Sequence, residues 1–405
     1  MKKLITLLTL IGLIMVPVAA CMADDGSMDE EMDMLKNKIA KLEQKSVQKA
    51  TTPVSAADGL MIGGGATFVI QTTHNANGTS YEGEDVTDAT YSIDINLEKA
   101  VGDNGKVFVD LEAGKGNGLD GEEVVLFSGV NGDTCLTSNN LEVVQVGYSH
   151  NFMDGKVNLT AGKLDATKQF DQNAVANNET SQFLACALVN SSSIEFPSDY
   201  TLGATLAVDV TDTLEVKAGL LEDDADNEDV FNDNFSFIQL AYAPQISGKQ
   251  GNYRLYGWYD SSSHVKLDDA MQKNERNYGV GISCDQVITD TITAFTRVGW
   301  SRPSISTLKV AWTLGAAVAG SSWNRAADVV GLAVGQNVPS DKYGDAGNPD
   351  SKETLVELYY NYKVNDAVSI SPDLQVVWNP NGVKEASQGR QDTIVVAGVR
   401  AQLNF

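Results

Sequence analysis

The chain has 405 residues, 42% of them hydrophobic and 20% charged, with 36 Gly and only 9 Pro. That is too apolar for a disordered chain and long enough for one large β domain or two smaller ones. A formal net charge of −25 argues against a nucleic-acid partner, whose phosphates need clustered Lys and Arg.

The first element reads as an export signal, assigned to residues 1–23. Lys2 and Lys3 form a basic start, and an apolar stretch runs from Leu4 to Val18. It is too short for a transmembrane helix, which needs roughly 20 apolar residues. Ala19 and Ala20 lead into Cys21, and cleavage fits after Ala20 or after Ala23. Val18-Ala19-Ala20-Cys21 also resembles a bacterial lipobox, so ordinary cleavage and lipidation of Cys21 both stay open. Cys135, Cys186 and Cys284 lack C-x-x-C spacing, which leaves no zinc or thioredoxin-like motif. Cys135 and Cys186 fall in predicted loops, and an exported chain permits their pairing.

Residues 24–58 read as a periplasmic helical segment and linker. Met28, Met32, Leu35, Ile39 and Leu42 make a heptad seam with Lys and Glu around it. The seam is short. It fits a self-associating stalk or a peptidoglycan tether through 28–42, and equally a marginal helix. Lys36, Lys38, Lys41 and Lys45 supply the basic residues for a tether, and Pro53 breaks the linker that follows.

From Leu60 the period changes to two. Strands are predicted near 60–72, 89–99, 106–113, 141–152, 156–164, 201–208, 213–221 and 235–243. The rest fall near 252–259, 276–285, 291–300, 307–319, 328–335, 352–364, 367–378 and 392–405. Links between them alternate. Gly102–Gly105, Asp154-Gly155, Thr211-Asp212 and Asn365-Asp366 are compact. The segments 73–88, 114–140, 165–200, 222–234, 260–275, 336–351 and 379–391 are longer and polar.

In the last strand Val395, Ala397, Val399, Ala401, Leu403 and Phe405 share one face, opposite Val396, Gly398, Arg400, Gln402 and Asn404. A terminal aromatic on such a strand resembles the assembly signal of bacterial outer-membrane barrels. Short turns at one end and long loops at the other are the mark of the same class. The fold class is all-β: a transmembrane antiparallel barrel of about sixteen strands over 59–405, in the outer membrane of a diderm bacterium. Outer-membrane lipid and lipopolysaccharide are then its surroundings.

A barrel this wide leaves an aqueous channel. The link Asp165–Tyr200 is the longest and follows the fifth strand. It mixes apolar anchors (Phe170, Phe183, Leu184, Phe196) with Asp171, Asn173, Asn177, Asn178, Glu179 and Gln182. A loop of that length in a barrel is usually functional, and this one is expected to fold inward as a constriction.

"GKLDATKQFDQNAVANNETSQFLACALVNSSSIEFP" (162–197) resembles the central signature of the carbohydrate-selective (OprB-type) porins. "NRAADVVGLAVG" (324–335), "ELYYNYKVNDAVSISPDLQVVWNPNG" (357–382) and "ITAFTRVGWSRPS" (292–304) resemble further stretches of that family. The resemblance covers most of 140–405 and is weaker over 60–140. It implies passive diffusion of sugars across the outer membrane, with no cofactor and no enzymatic reaction.

Strand parity supplies the lumen candidates. Arg254, Tyr256 and Trp258 share a face, as do Phe295 and Arg297, and Glu353, Glu357 and Tyr359. Asp373, Gln375 and Arg400 face inward by the same rule. Carboxylates, amides and Arg suit sugar hydroxyls, and aromatics suit the apolar ring faces. A one-residue slip would turn each set outward.

Other readings are a general cation-leaning porin and a structural protein held to the cell wall by its N-terminal helix. A barrel hydrolase using His150 lacks a recognisable partner arrangement. The acidic run Glu222–Asp229 is read as a solvated external loop. Gly114–Gly118 lacks the strand–loop–helix context of a phosphate cradle, and His74, His150 and His264 are too scattered in sequence for a metal centre.

Overall fold

The computed structural model describes residues 54–55, 59–75, 85–116, 118–119, 124–133, 140–197, 200–223, 232–384 and 392–405. The export signal, Cys21, the 28–42 seam, Cys135 and most of the acidic run lie outside them.

Sixteen long strands follow one another, each antiparallel to the next. They are β1 Leu60–His74, β2 Thr87–Val101, β3 Gly105–Lys115, β4 Glu142–Phe152, β5 Val157–Leu164 and β6 Thr201–Thr211. Next come β7 Leu214–Glu222, β8 Asn234–Tyr242, β9 Lys249–His264, β10 Glu275–Val287 and β11 Ile292–Ser301. The last five are β12 Leu308–Ala319, β13 Val329–Pro339, β14 Glu353–Lys363, β15 Val368–Trp378 and β16 Thr393–Asn404. The ring closes where β16 pairs with β1, from Val395 opposite His74 to Asn404 opposite Gly65. Closure removes the sheet edges, as hydrocarbon surroundings require of any strand that crosses them. All sixteen predicted strands are present.

The two faces are inverted relative to a soluble sheet. On β1, Phe68 and Ile70 are 52% and 51% exposed, while Thr67, Gln71 and Thr73 are buried. Ile238, Leu255, Leu314 and Leu332 repeat the pattern around the ring. Apolar side chains outside and polar ones inside are what lipid around water selects. Outward aromatics cluster near both rims: Tyr148, Phe152, Tyr242, Tyr362 and Phe405 at one end, Tyr259, Tyr278, Trp300 and Trp378 at the other. His150 lies in the first group, between the rings of Tyr148 and Phe152.

Links at the first rim are short: 102–104, 153–156, 212–213, 243–248, 288–291, 320–328 and 364–367. Those at the opposite rim include 116–141 and 165–200. Phe405 sits at the short-turn rim. Its N–H donates to Gly64 O at 3.0 Å, and its carbonyl accepts from Gly64 N at 3.1 Å. A Cβ on Gly64 would meet the Phe405 ring at 2.8 Å, so only glycine lets that ring settle there. In the 320–328 turn, Arg325 pairs with Asp328, donates to Lys363 O at 2.8 Å and lies 4.0 Å over the Tyr362 ring. Asp328 also accepts from Tyr360 and from Lys363 N, which pins the Arg-x-x-Asp turn to β14.

Candidate functional site

The link 165–200 folds into the barrel and is bolted to its inner wall. Asp165 caps a short 3-10 turn, Ala166–Lys168, by accepting from Thr167 N at 2.9 Å. The chain then drives Phe170 into an aromatic pocket. Its ring stacks on Phe237 at 4.4 Å, and Phe196, Phe235 and Tyr256 surround it within 6 Å. Farther along, Phe183 meets Tyr359 edge-on at 4.9 Å and Phe295 at 5.6 Å. Leu188, on the short helix Cys186–Val189, belongs to the same cluster. Burying these rings drives the loop inward, by roughly 1.5–3 kcal/mol for each large side chain.

Polar latches fix its register. Arg297, wholly buried, donates to Leu188 O at 2.9 Å and Asp171 O at 3.0 Å, and its Nε lies 3.3 Å from Asp171 Oδ1. Asp171 takes φ of 59°, a conformation Asp tolerates better than most residues, and accepts from Ser191 N at 2.8 Å. Glu357 accepts from Leu184 N at 2.5 Å and Ala185 N at 2.9 Å. Arg400 donates to Glu179 O, Asn173 donates to Cys284 O at 3.2 Å, and Asp285 accepts from Ala174 N at 3.2 Å. At Gly299 a Cβ would come within 2.0 Å of Ser193 Oγ. The Arg-x-Gly-Trp strand thus grips the loop with Arg297 and makes room for it at Gly299.

A second loop also turns inward, which strand parity and loop length left unseen. Leu119, Val124 and Val130 pack on Ile394 and Val396 of β16. Val130 O accepts from Gln71 and Gln375, each at 2.9 Å, and Glu353 accepts from Phe127 N at 2.9 Å. Gly132 N donates to Leu184 O at 2.7 Å, which ties the two loops together. The signal was available in sequence: apolar residues 124–130 within an otherwise polar connection.

What stays open is polar. An open pocket of about 340 Å³ is lined by Gln172, Asn173, Ala174, Asn177, Asn178, Gln182 and Arg254. Arg254 pairs with Asp285 at 3.0 Å and keeps further donors for the pocket. Lys168 reaches towards Asp94 and Asp110 on the facing strands, 3.8 Å from Asp165. Its side chain is exposed to the lumen, and Asp165, Asp110, Glu179 and Asp94 hold its pKa above the usual lysine value.

The whole of 81–405 matches the model of "Carbohydrate-selective porin, OprB family". The chain belongs to that family. It is an outer-membrane sugar channel, built as a closed barrel. In fold it is similar to Pseudomonas putida OprB at high pH, with a TM-score of 0.76, 15% identity, and 86% of this chain and 94% of that chain covered. The outer-membrane channel DcaP of Acinetobacter baumannii aligns with a TM-score of 0.54 and 12% identity, covering 87% and 99% of the two chains. An uncharacterized protein of Aquifex aeolicus (strain VF5) is 34% identical over 87 residues, 22% of this chain and 28% of that relative's length.

In this porin the sequence-derived site residues separate into two groups. Asn173, Asn177, Gln182 and Arg254 meet at the pocket. Trp258, Arg297, Glu353, Glu357, Asp373 and Arg400 face inward but are buried. Four of them, Arg297, Glu353, Glu357 and Arg400, hydrogen-bond the inward loops, and Trp258 belongs to the aromatic cluster around Phe170. Phe170 and Asp171 are buried on the loop itself. The aromatics expected to meet sugar rings are covered by the loop that they hold. Glu179 lies between, its carbonyl on Arg400 and its charge near Lys168.

Asp133, on the second loop, accepts from Ser92 at 3.0 Å. Burial pushes its carboxyl up to about 7, with Glu179 adding to the rise. Its charge therefore appears as pH rises through neutrality. Cation over anion permeability, read from the reversal potential in a KCl gradient, is expected to increase by about twofold from pH 6 to pH 8. Asp133→Asn should flatten that rise; an unchanged slope would count against Asp133 as the titrating group.

Proposed function

We propose that solutes are sorted at the amide pocket of the inward loop, with Arg254 as its one cationic donor, and that sugars pass by hydrogen-bond exchange. The observation that carries this reading is the lining itself: five side-chain amides and one guanidinium where the loop narrows the lumen. Uncharged polyols can replace their water shell there, whereas an apolar solute finds nothing to bind. The acid groups Asp94, Asp110, Asp165 and Glu179 around Lys168 add a preference against anions. That also supports the cation-leaning porin as a second reading.

Proteoliposome swelling tests both. Glucose is expected to enter faster than amino acids of similar size, and gluconate more slowly than glucose. Arg254→Gln should reduce the sugar-to-amino-acid ratio roughly three- to tenfold, the scale of one ordinary hydrogen bond lost. Rates ordered by size and charge alone would leave the second reading. Residues 24–58 fit a periplasmic appendage that self-associates or contacts peptidoglycan, and normal envelopes after deletion of 24–50 would remove that assignment.

A further inference from the structure

Glu195, Asp260 and His264 converge at the long-loop rim, away from the pocket. Their ligand atoms lie within 4.8 Å of one another. Glu195 comes from the return limb of the inward loop, and Asp260 and His264 from the end of β9. Between Asp260 and His264 the pairing of β9 with β10 loses register, an irregularity of the kind that re-aims a side chain.

The imidazole carries the argument. Its Nδ1 lies 3.0 Å from Ser262 O, a carbonyl that only accepts, so Nδ1 holds the proton. In the neutral ring Nε2 is then a lone pair. Yet it points at two carboxylate oxygens, Asp260 Oδ2 at 3.2 Å and Glu195 Oε2 at 3.3 Å. Two anionic oxygens there call for a positive charge, supplied by a proton on Nε2 or by a bound metal ion. A proton on Nε2 would be shared between the two oxygens at 3.2 and 3.3 Å, whereas a metal ion serves all three ligand atoms at once. The two separations from Nε2 match the edge, about 3.3 Å, of a tetrahedron of ligands around an ion bound at about 2.0–2.1 Å, and all three ligand atoms lie within 4.8 Å of one another.

The outer shell is also in place. Ser262 O orients the ring, and Ser262 N donates to Asp260 Oδ1 at 2.7 Å. Asn277 donates to Glu195 and, at 2.8 Å, to Ser306. Such partners fix metal-binding His and carboxylates in known sites. Asp223, at the end of β7, adds a further negative charge within electrostatic reach of all three. The Asp260 side chain is 2% exposed and that of Glu195 46%, so the site has a fixed floor and an open side for solvent.

We propose that Glu195, Asp260 and His264 bind a divalent transition-metal ion of the Zn²⁺ type, with water completing the shell. The ion would clip the return limb of the constriction loop to β9. The test uses untagged full-length protein refolded in detergent, with folding read by heat-dependent gel mobility. Equilibrium dialysis with ZnCl₂ is expected to show one saturable equivalent, and Co²⁺ should give the visible absorption of a His–carboxylate site. His264→Asn and Glu195→Gln should each weaken binding at least about tenfold. Glu195 sits on the loop, so its variant leaves the wall intact. No saturable binding by the wild type would overturn the proposal. So would folded variants that bind as the wild type does, since the Zn²⁺ would then reside elsewhere.

Discussion

Replacing Arg297 by Met is expected to release the constriction loop, raising the open population by roughly 150- to 5,000-fold through a loss of about 3–5 kcal/mol. The guanidinium is wholly buried, donates to Leu188 O and Asp171 O, and forms an ion pair with the Asp171 carboxylate at 3.3 Å. Met fills much of the same space but leaves Asp171 buried and uncompensated. The barrel wall, held by its backbone ladders, should survive, so the cost falls on the loop. Protease cleavage within 165–200 and single-channel current noise are the measurements.

The same variant has a defined pH dependence. Burial pushes the Asp171 carboxyl up, and the Arg297 charge is the largest influence holding it down. Without that cation Asp171 protonates more readily, and protonation removes the uncompensated charge. The defect should therefore be largest at alkaline pH and shrink as pH falls. Adding Asp171→Asn, which keeps a residue tolerant of positive φ, should recover much of the loss at every pH. Equal loop release at pH 5 and pH 9 would show that Arg297 acts by packing alone.

The barrel was legible because its code is local. Period two, the alternation of short and long links and a terminal aromatic each follow from one strand having lipid on one side and water on the other. Val395 to Phe405 show it plainly: every second residue is apolar, and Val399, Leu403 and Phe405 face outward. Parity also placed Arg297, Glu357 and Arg400 inside. What it could not supply was what covers them. Whether an inward Arg meets water or a folded loop depends on contacts such as Arg297 with Leu188, separated by 109 residues. The expectation of exposed lumen groups therefore turned, for most of these residues, into buried latches. The His264 cluster was hidden for the same reason, since Glu195 and His264 meet only once the inward loop lies on β9.

The inward loops make sense of residues that would be costly in a soluble core. Glu353 and Glu357 are buried carboxylates with no cation as their nearest bonded partner; each is instead satisfied by backbone N–H groups of a loop. A carboxylate accepting several N–H bonds positions a segment without needing a counter-charge beside it. The wall thus presents acceptors at fixed heights, and the loops dock their free N–H groups onto them. Constriction geometry is set by the rigid strands, which is the arrangement that holds a site most closely.

Glu357 gives the second large effect, and its substitution series separates a backbone latch from a simple charge. Glu357→Ala removes the acceptor for both Leu184 N and Ala185 N, whose residues are buried at 1% and 0% exposure. Each unsatisfied buried N–H costs about 1–3 kcal/mol, so a loss of about 2–6 kcal/mol is expected. Glu357→Gln keeps one oxygen, and the expected loss falls to about 1–2 kcal/mol. Phe183 and Leu188 would remain packed on Phe295 and Tyr359 in either variant, so the apolar contacts do not distinguish them. Denaturant-dependent protection of the Leu184 and Ala185 amides, followed by hydrogen exchange in detergent, reads the latch directly. Exchange should accelerate strongly in the Ala variant and modestly in the Gln variant. If charge were the cause, Gln and Ala would behave alike; if backbone acceptance is the cause, Gln must lie between Ala and the wild type.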